Sequence, residues 1–149
     1  MTVMRSRAVE GLVVGDRFVI SRSFSADEIE SFGRLSRDFN PVHDDQIYIE
    51  LKGFAAPIAH GLLTASLLTE IGGQIGWLAS SMSFRFKRPV YANERLQCEW
   101  VIMEIDDRGR ARAEVTIKNP KGQTVLEAET TGIVPNEQER ARLRSLMLT

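Results

Sequence analysis

The feature that most limits how this chain can fold is a change of period. Up to about residue 76 the apolar residues recur at helical spacing, and from about residue 81 they recur at every second position. A chain that switches from helices to strands in this way reads as α+β, not as alternating βαβ units. The helical part culminates in residues 61–76, GLLTASLLTEIGGQIG, its most apolar helix candidate. Leu62, Leu63, Leu67, Leu68, Ile71 and Ile75 run nearly all the way round that helix, the pattern of a buried one. Ala65, Ser66, Gly72 and Gly73 would let other backbone approach it closely.

Around that centre the other elements fall into place. Residues 17–24, RFVISRSF, alternate and predict an opening strand. Ser25 with Glu28 forms a capping box for a helix carrying Ile29, Phe32 and Leu35, which Pro41 should end near Asp38 or Phe39. Residues 44–52 predict a short helix closed by Gly53. After residue 76, SMSFRFKRPV reads as a strand ended by Pro89. Leu96, Cys98, Trp100 and Ile102 mark one face of the next. Ala111, Ala113, Val115 and Ile117 follow a turn at 107–109, and Leu126, Ala128, Thr130 and Val134 follow a second turn at 119–122. The tail, EQERARLRSLMLT, fits an amphipathic helix and a frayed surface end equally well.

Length and composition set the outer bounds. At 149 residues the chain suits a single domain over 1–149, able to bury about two-thirds of its unfolded surface. A formal net charge of -1 gives no general attraction for nucleic acid or an anionic membrane, so neither is expected as a partner. No window approaches a membrane span, and the basic N-terminus lacks the apolar stretch of a signal peptide. The lone Cys98 excludes an internal disulfide and fits a reducing compartment, so a cytoplasmic location is expected. One helix beside a sheet leaves strand edges and apolar surface uncovered, so a homodimer or dimer of dimers is expected.

Two segments carry groups suited to chemistry. The only histidines are His43 and His60, and both lie in loop segments. In Asp38-Phe39-Asn40-Pro41-Val42-His43 the carboxylate stands at a helix C-terminus, where the dipole disfavours it. Asn-Pro then turns the chain so that His43 can fold back towards Asp38. A carboxylate and an imidazole at that range can contact one water, one taking a proton and the other delivering one. A turn cap and a surface imidazole fit the same spacing. In Pro57-Ile58-Ala59-His60-Gly61 the free backbone N–H groups of a helix start could polarise a thioester carbonyl, with Gly61 keeping the approach open. Tight helix packing at Gly61, with His60 a hydrogen-bonded loop residue, fits that segment too.

Together these segments, with Ser83-Phe84-Arg85-Phe86-Lys87-Arg88-Pro89-Val90, resemble the MaoC-like dehydratases, in particular the (R)-specific enoyl-CoA hydratases. The resemblance runs from about residue 10 to 134. It implies a hot-dog fold, an antiparallel sheet wrapped around a long central helix, in a dimer. It implies reversible hydration of a 2-enoyl thioester by Asp38 and His43, with an oxyanion-hole N–H from Gly61. Asn40, His60 and Thr69 would line the substrate site, Thr69 standing where the family has a small hydroxyl residue. The substrate would be an acyl-CoA or acyl-carrier-protein thioester, with no metal and no organic cofactor. Arg85, Lys87 and Arg88 are the candidates to meet CoA phosphates or an acidic carrier protein, with a solvated strand end as the plainer reading of Lys87 and Arg88.

The sequence departs from the family pattern at Arg37, before the motif Asp, at Asn93-Glu94 in place of a Gly-Asp turn, and at Thr69 in place of serine. Three other functions fit parts of the pattern. A 3-hydroxyacyl-acyl-carrier-protein dehydratase would use the same pair. A hot-dog thioesterase would rely on Glu70 and leave Asp38 and His43 unexplained. A non-catalytic acyl-CoA-binding protein would have no need of an intact pair.

Overall fold

The computed structural model describes residues 2–149. Five strands form one antiparallel sheet: β1 (Arg17–Arg22), β2 (Leu78–Phe86), β3 (Leu96–Ile105), β4 (Arg110–Lys118) and β5 (Thr124–Ile133). Their order is β1-β3-β4-β5-β2, which leaves β1 and β2 as edges. The period-2 reading holds most cleanly in the middle of the sheet. Cys98, Trp100 and Ile102 on β3 pair with Ile117, Val115 and Ala113 on β4, and these six and Leu96 are all buried. On β5 the inward register carries Leu126 and Thr130, both fully buried.

Among the described residues six α-helices accompany the sheet: α1 (Val3–Glu10), α2 (Ala26–Ser36), α3 (Gln46–Leu51), α4 (Gly61–Ala65), α5 (Leu67–Ile75) and α6 (Glu137–Leu146). Leu63, Leu67, Leu68, Ile71 and Ile75 join the sheet's inner face in one core. Gly72 turns α5 towards Trp100 and Trp77, where a Cβ would make ordinary contact at 3.8 Å with the Trp100 indole and with Trp77 Cβ. The capping box predicted at Ser25 and Glu28 is present.

Four expectations need correction. The central helix is broken at Ser66, because two hydroxyls bond back to the main chain. Ser66 Oγ donates to the Leu63 carbonyl at 2.5 Å and Thr69 Oγ1 to the Ser66 carbonyl at 2.6 Å. Nor is the helix buried all round: Leu62 is 60% exposed, and Thr69, Glu70 and Gly73 share the open side, because the sheet covers only the opposite face. Helix α2 stops at Ser36, two residues early, where Arg37 takes a left-handed conformation (φ 61°) and ends the hydrogen-bond ladder. The strand expected from Ser81 and ended by Pro89 instead starts at Leu78 and ends at Phe86, after which Lys87 N and Arg88 N both donate to the Val125 carbonyl and bend the chain away.

The two terminal helices pack together. The tail is a helix capped by Asn136 and Glu139, and Arg140 Nη1 donates to the Glu10 carbonyl at 3.2 Å. Helix α1 gave no signal in the sequence, since only Ala8 and Val9 are buried on it and they form no stripe.

Candidate functional site

Past α2, Asp38 is held by a short chain of local bonds. Ser36 Oγ donates to the Phe32 carbonyl at 2.7 Å and accepts the Asp38 N–H at 3.2 Å. Asp38 Oδ1 accepts the Asn40 N–H at 3.1 Å, and Asn40 Oδ1 accepts the Val42 N–H at 3.2 Å. These two Asx turns, with Pro41 setting its own φ, wind residues 41–43 into one 3-10 turn. The turn brings His43 back, so that its Nε2 stands 3.7 Å from Asp38 Oδ2.

Hydrogen bonding sets the state of that imidazole. His43 Nδ1 lies 2.6 Å from the Ile58 carbonyl. A carbonyl oxygen only accepts, so Nδ1 carries the hydrogen and the Nε2 of the neutral ring is a bare lone pair facing the carboxylate. Two acceptors at 3.7 Å cannot bond to each other, yet one water can give a hydrogen to each. Its oxygen lone pairs then point away from both.

His60 is behind the pair. It is 2% exposed and stacks on His43 with centroids 3.6 Å apart and planes 23° from parallel. Its Nε2 donates to the Asp38 carbonyl at 3.2 Å. Burial holds it below the ordinary imidazole range, the Asp38 carbonyl opposing that fall. Asp38, His43 and His60 offer donor atoms within 4.8 Å of one another. A metal sits in the plane of each imidazole it binds, and two stacked rings cannot both present a lone pair to one ion, so this trio is poorly shaped as a metal centre.

Gly61 opens α4, and its N–H finds no acceptor among the described residues. Phe86 fills the space a side chain would take: a Cβ on Gly61 would fall 2.8 Å from the ring. A cavity of about 650 Å³ joins Gly61 to Asp38 and is walled by Phe32, Phe54, Ile58, Leu62, Phe86 and Val90. A second, of about 550 Å³, lies on the other side of Asp38 and is lined by Asn40, His43, His60, Arg34 and Tyr91. Asp38 borders both.

The structure therefore brings Asp38, Asn40, His43, His60 and Gly61 together. It scatters the rest. Thr69 is exposed, spends its hydroxyl on Ser66, and borders neither cavity. Lys87 and Arg88 edge the larger cavity, but Lys87 lies 3.8 Å from Glu127 and Arg88 donates to the Thr124 carbonyl. Arg85 lies apart, beside Glu114, Glu127 and Glu129. Glu70 is exposed outside both cavities, and Arg37 makes no ion pair among the described residues. Asn93 takes the left-handed conformation (φ 66°) that explains a glycine-like position there. The sequence reading missed Ser36, the Ile58 carbonyl and Phe86. Only Ser36 left a trace, a hydroxyl two residues before Asp38; a main-chain acceptor leaves none.

An antiparallel sheet wrapped on a central helix, with a carboxylate and an imidazole converging beside that helix's first turn, defines a hot-dog protein carrying an acid–base site. The chain belongs to the MaoC-like domain family, which matches residues 15–125. It is 35% identical over 96 residues to the (R)-specific enoyl-CoA hydratase of Aeromonas caviae, covering 62% of this chain and 72% of that protein. It is 30% identical over 131 residues to the mitochondrial 3-hydroxyacyl-[acyl-carrier-protein] dehydratase of Arabidopsis thaliana, covering 84% and 79%. The solved (R)-hydratase from A. caviae involved in PHA biosynthesis superposes with a TM-score of 0.78 at 30% identity, over 85% of this chain and 99% of that one.

Proposed function

We propose that this chain is a hydro-lyase that adds water reversibly to a 2-enoyl thioester, giving the (R)-3-hydroxyacyl thioester. The observation that carries the reading is the pairing of a bare His43 Nε2 with the Asp38 carboxylate at 3.7 Å, two acceptors for the two hydrogens of one water. The names of the A. caviae and A. thaliana relatives supply the substrate class.

In the forward direction the water oxygen bonds to C3 of the enoyl group as Asp38 takes one of its protons. The electron pair of the double bond moves through C2 onto the thioester oxygen, which the Gly61 N–H stabilises. Because the neutral His43 arrives with no hydrogen on Nε2, the proton it relays to C2 is the water's second one, and Asp38 returns the first to the new C3 oxygen as the hydroxyl forms. Water is thus the source of both added groups. Dehydration runs through the same groups in reverse. Proton transfer between two side chains suffices, so the reading calls for no metal and no organic cofactor, with the thioester as substrate. We assign the acyl chain to the cavity between Gly61 and Asp38, and favour CoA as carrier because Lys87 and Arg88 stand at its edge.

We further propose a homodimer. Strand β2 is an unpaired edge with nearly every side chain exposed, and the open side of α4 and α5 lies bare. A second copy covering both would hide Leu62, Leu78 and Phe86, now among the more exposed apolar residues. Among the described residues no helix is long and apolar enough to cross a membrane. The buried, unpaired Cys98 favours the cytoplasm.

The test is the loss of enoyl-thioester ultraviolet absorbance on adding crotonyl-CoA to wild type and to Asp38→Asn. Hydration predicts loss in the first and near-abolition in the second. Release of free thiol instead would move the protein to the thioesterases, and inertness towards crotonyl-CoA and longer enoyl-CoAs would discard the CoA reading.

A further inference from the structure

The chemistry above employs Asp38, His43 and Gly61 and leaves His60 idle. Yet His60 is a buried side chain that touches both members of the pair. Its ring lies flat against His43, and its Nε2 reaches the Asp38 carbonyl. Phe32 meets the ring edge-on with centroids 5.1 Å apart. Gly33 leaves the ring its room, since a Cβ there would come within 3.4 Å of His60 Nε2 and Cε1. The ring is thus fixed on one side by the helix that precedes Asp38 and on another by His43.

Its protonation follows from its partners. The Asp38 carbonyl can only accept, so Nε2 carries the hydrogen and Nδ1 is a bare lone pair. Nδ1 is buried and has no partner among the described residues. A proton there would be a buried donor with nothing to bond, and burial accordingly holds the group below its ordinary range. The pocket therefore holds a neutral ring. His43 requires one beside it, because relaying a proton passes it through its imidazolium form, and a second cation stacked at 3.6 Å would oppose that charge.

We propose, resting on the hydratase reading of this site, that His60 is a positioning residue. Its neutral ring, protonated at Nε2, fixes the Asp38 main chain and the plane of His43 so that carboxylate and bare Nε2 address the same water. It touches neither water nor substrate. The sequence feature behind this role is the His immediately before Gly61: one dipeptide supplies the main-chain N–H at the helix start and the brace behind the pair.

The experiment compares full-length wild type, His60→Ala and His60→Gln by enoyl-thioester absorbance and by the ring ¹⁵N spectrum. With two histidines in the protein, each variant leaves His43 as the sole imidazole signal. The expected result for His60→Ala is a kcat about 10²-fold lower with KM changed less than about threefold, as for a misplaced catalytic group. Its His43 ¹⁵N pattern should change from one tautomer to a mixture. His60→Gln restores a donor towards Asp38 and should recover part of kcat, but without the ring it should not recover the single-tautomer pattern. A folded variant of either kind with kcat within about threefold of wild type and an unchanged His43 pattern overturns the proposal, since a misplaced catalytic group should cost far more. If His60→Ala does not fold, His60→Gln carries both readouts by the same criteria. Should wild type hydrate no enoyl thioester, the hydratase reading fails by itself, and the ¹⁵N pattern still decides whether His60 holds the His43 ring on the Ile58 carbonyl that sets its tautomer.

Discussion

The two ends of the central helix are built to opposite rules. At its C-terminal end the main-chain groups are answered, although Trp100 Nε1, on the side chain packed beside Gly72, is buried without a partner among the described residues. Gly76 takes the left-handed conformation (φ 70°), Trp77 N donates to the Gly72 carbonyl, and Arg5 donates to the carbonyls of Gly73 and Gln74. Helices α1 and α6 close over this end, with Leu143 and Pro135 beside Gly76. At the N-terminal end the Gly61 N–H has no acceptor among the described residues, and His60 Nδ1 and Thr64 Oγ1 are buried without partners. Asp38 stands half-exposed between two cavities. Buried polar groups are ordinarily satisfied, so a cluster of unanswered ones marks where the molecule holds interactions in reserve. One end of the helix stabilises the fold and the other is left open for a ligand.

Substitutions at the two ends should therefore separate activity from stability. The largest effect is expected at the open end. Asp38→Asn should lower kcat/KM by about 10²–10⁴-fold, the range of general acid–base catalysis, while the melting temperature stays within about 2 °C of wild type. Loss of both together in a thermal melt and an absorbance assay would make Asp38 a structural cap. Next comes the core against which the closed end packs. Trp100→Ala removes a fully buried indole beside Gly72 and Trp77 and should cost about 3–5 kcal/mol by denaturant titration. Smaller still, Arg5→Ala frees two carbonyls at the end of α5 and should cost about 1–2 kcal/mol with kcat unchanged. A fall in kcat for Arg5→Ala without a fall in stability would erase the distinction between the ends.

How much of this was legible in the sequence follows the same division. The inner faces of β3 and β4 were readable because burial on one side of a strand forces a period of two, and every residue assigned to those faces is buried. Asp38 and His43 were readable because Asn-Pro leaves the chain few ways to continue. Side chains that bond their own main chain were not. Ser66 and Thr69 break the helix through hydroxyls that a hydropathy pattern counts only as polar, and Thr69, assigned to the site, spends its hydroxyl there. The open side of the helix was hidden for a related reason: Leu62 has the same hydropathy whether a sheet or a second copy covers it. His60 looked like a loop residue because its neighbours in sequence are small, whereas its neighbours in space, Phe32 and His43, come from 28 and 17 residues upstream.

The smallest predicted effect sharpens the comparison by pH alone. His60 is held below its unfolded value, near pH 6.5, chiefly by burial. Above that pH the ring is neutral in both states and contributes no pH dependence. As pH falls through about 6.5 the unfolded chain takes up a proton that the folded chain refuses, so stability is lost on acidification until the lower folded value is passed. The carboxylates held low by hydrogen bonds, Glu28 by the Ser25 backbone N–H and Asp106 by that of Arg110, lose their contribution only below about pH 4.5. The window between about pH 5 and 6.5 therefore reports mainly on histidine. Melting temperatures of wild type should fall across it, and those of His60→Phe, which keeps an aromatic ring against His43, should fall less. Parallel curves would mean that the buried ring accepts its proton as readily as the unfolded chain does, and that the open end of the helix stores no such penalty.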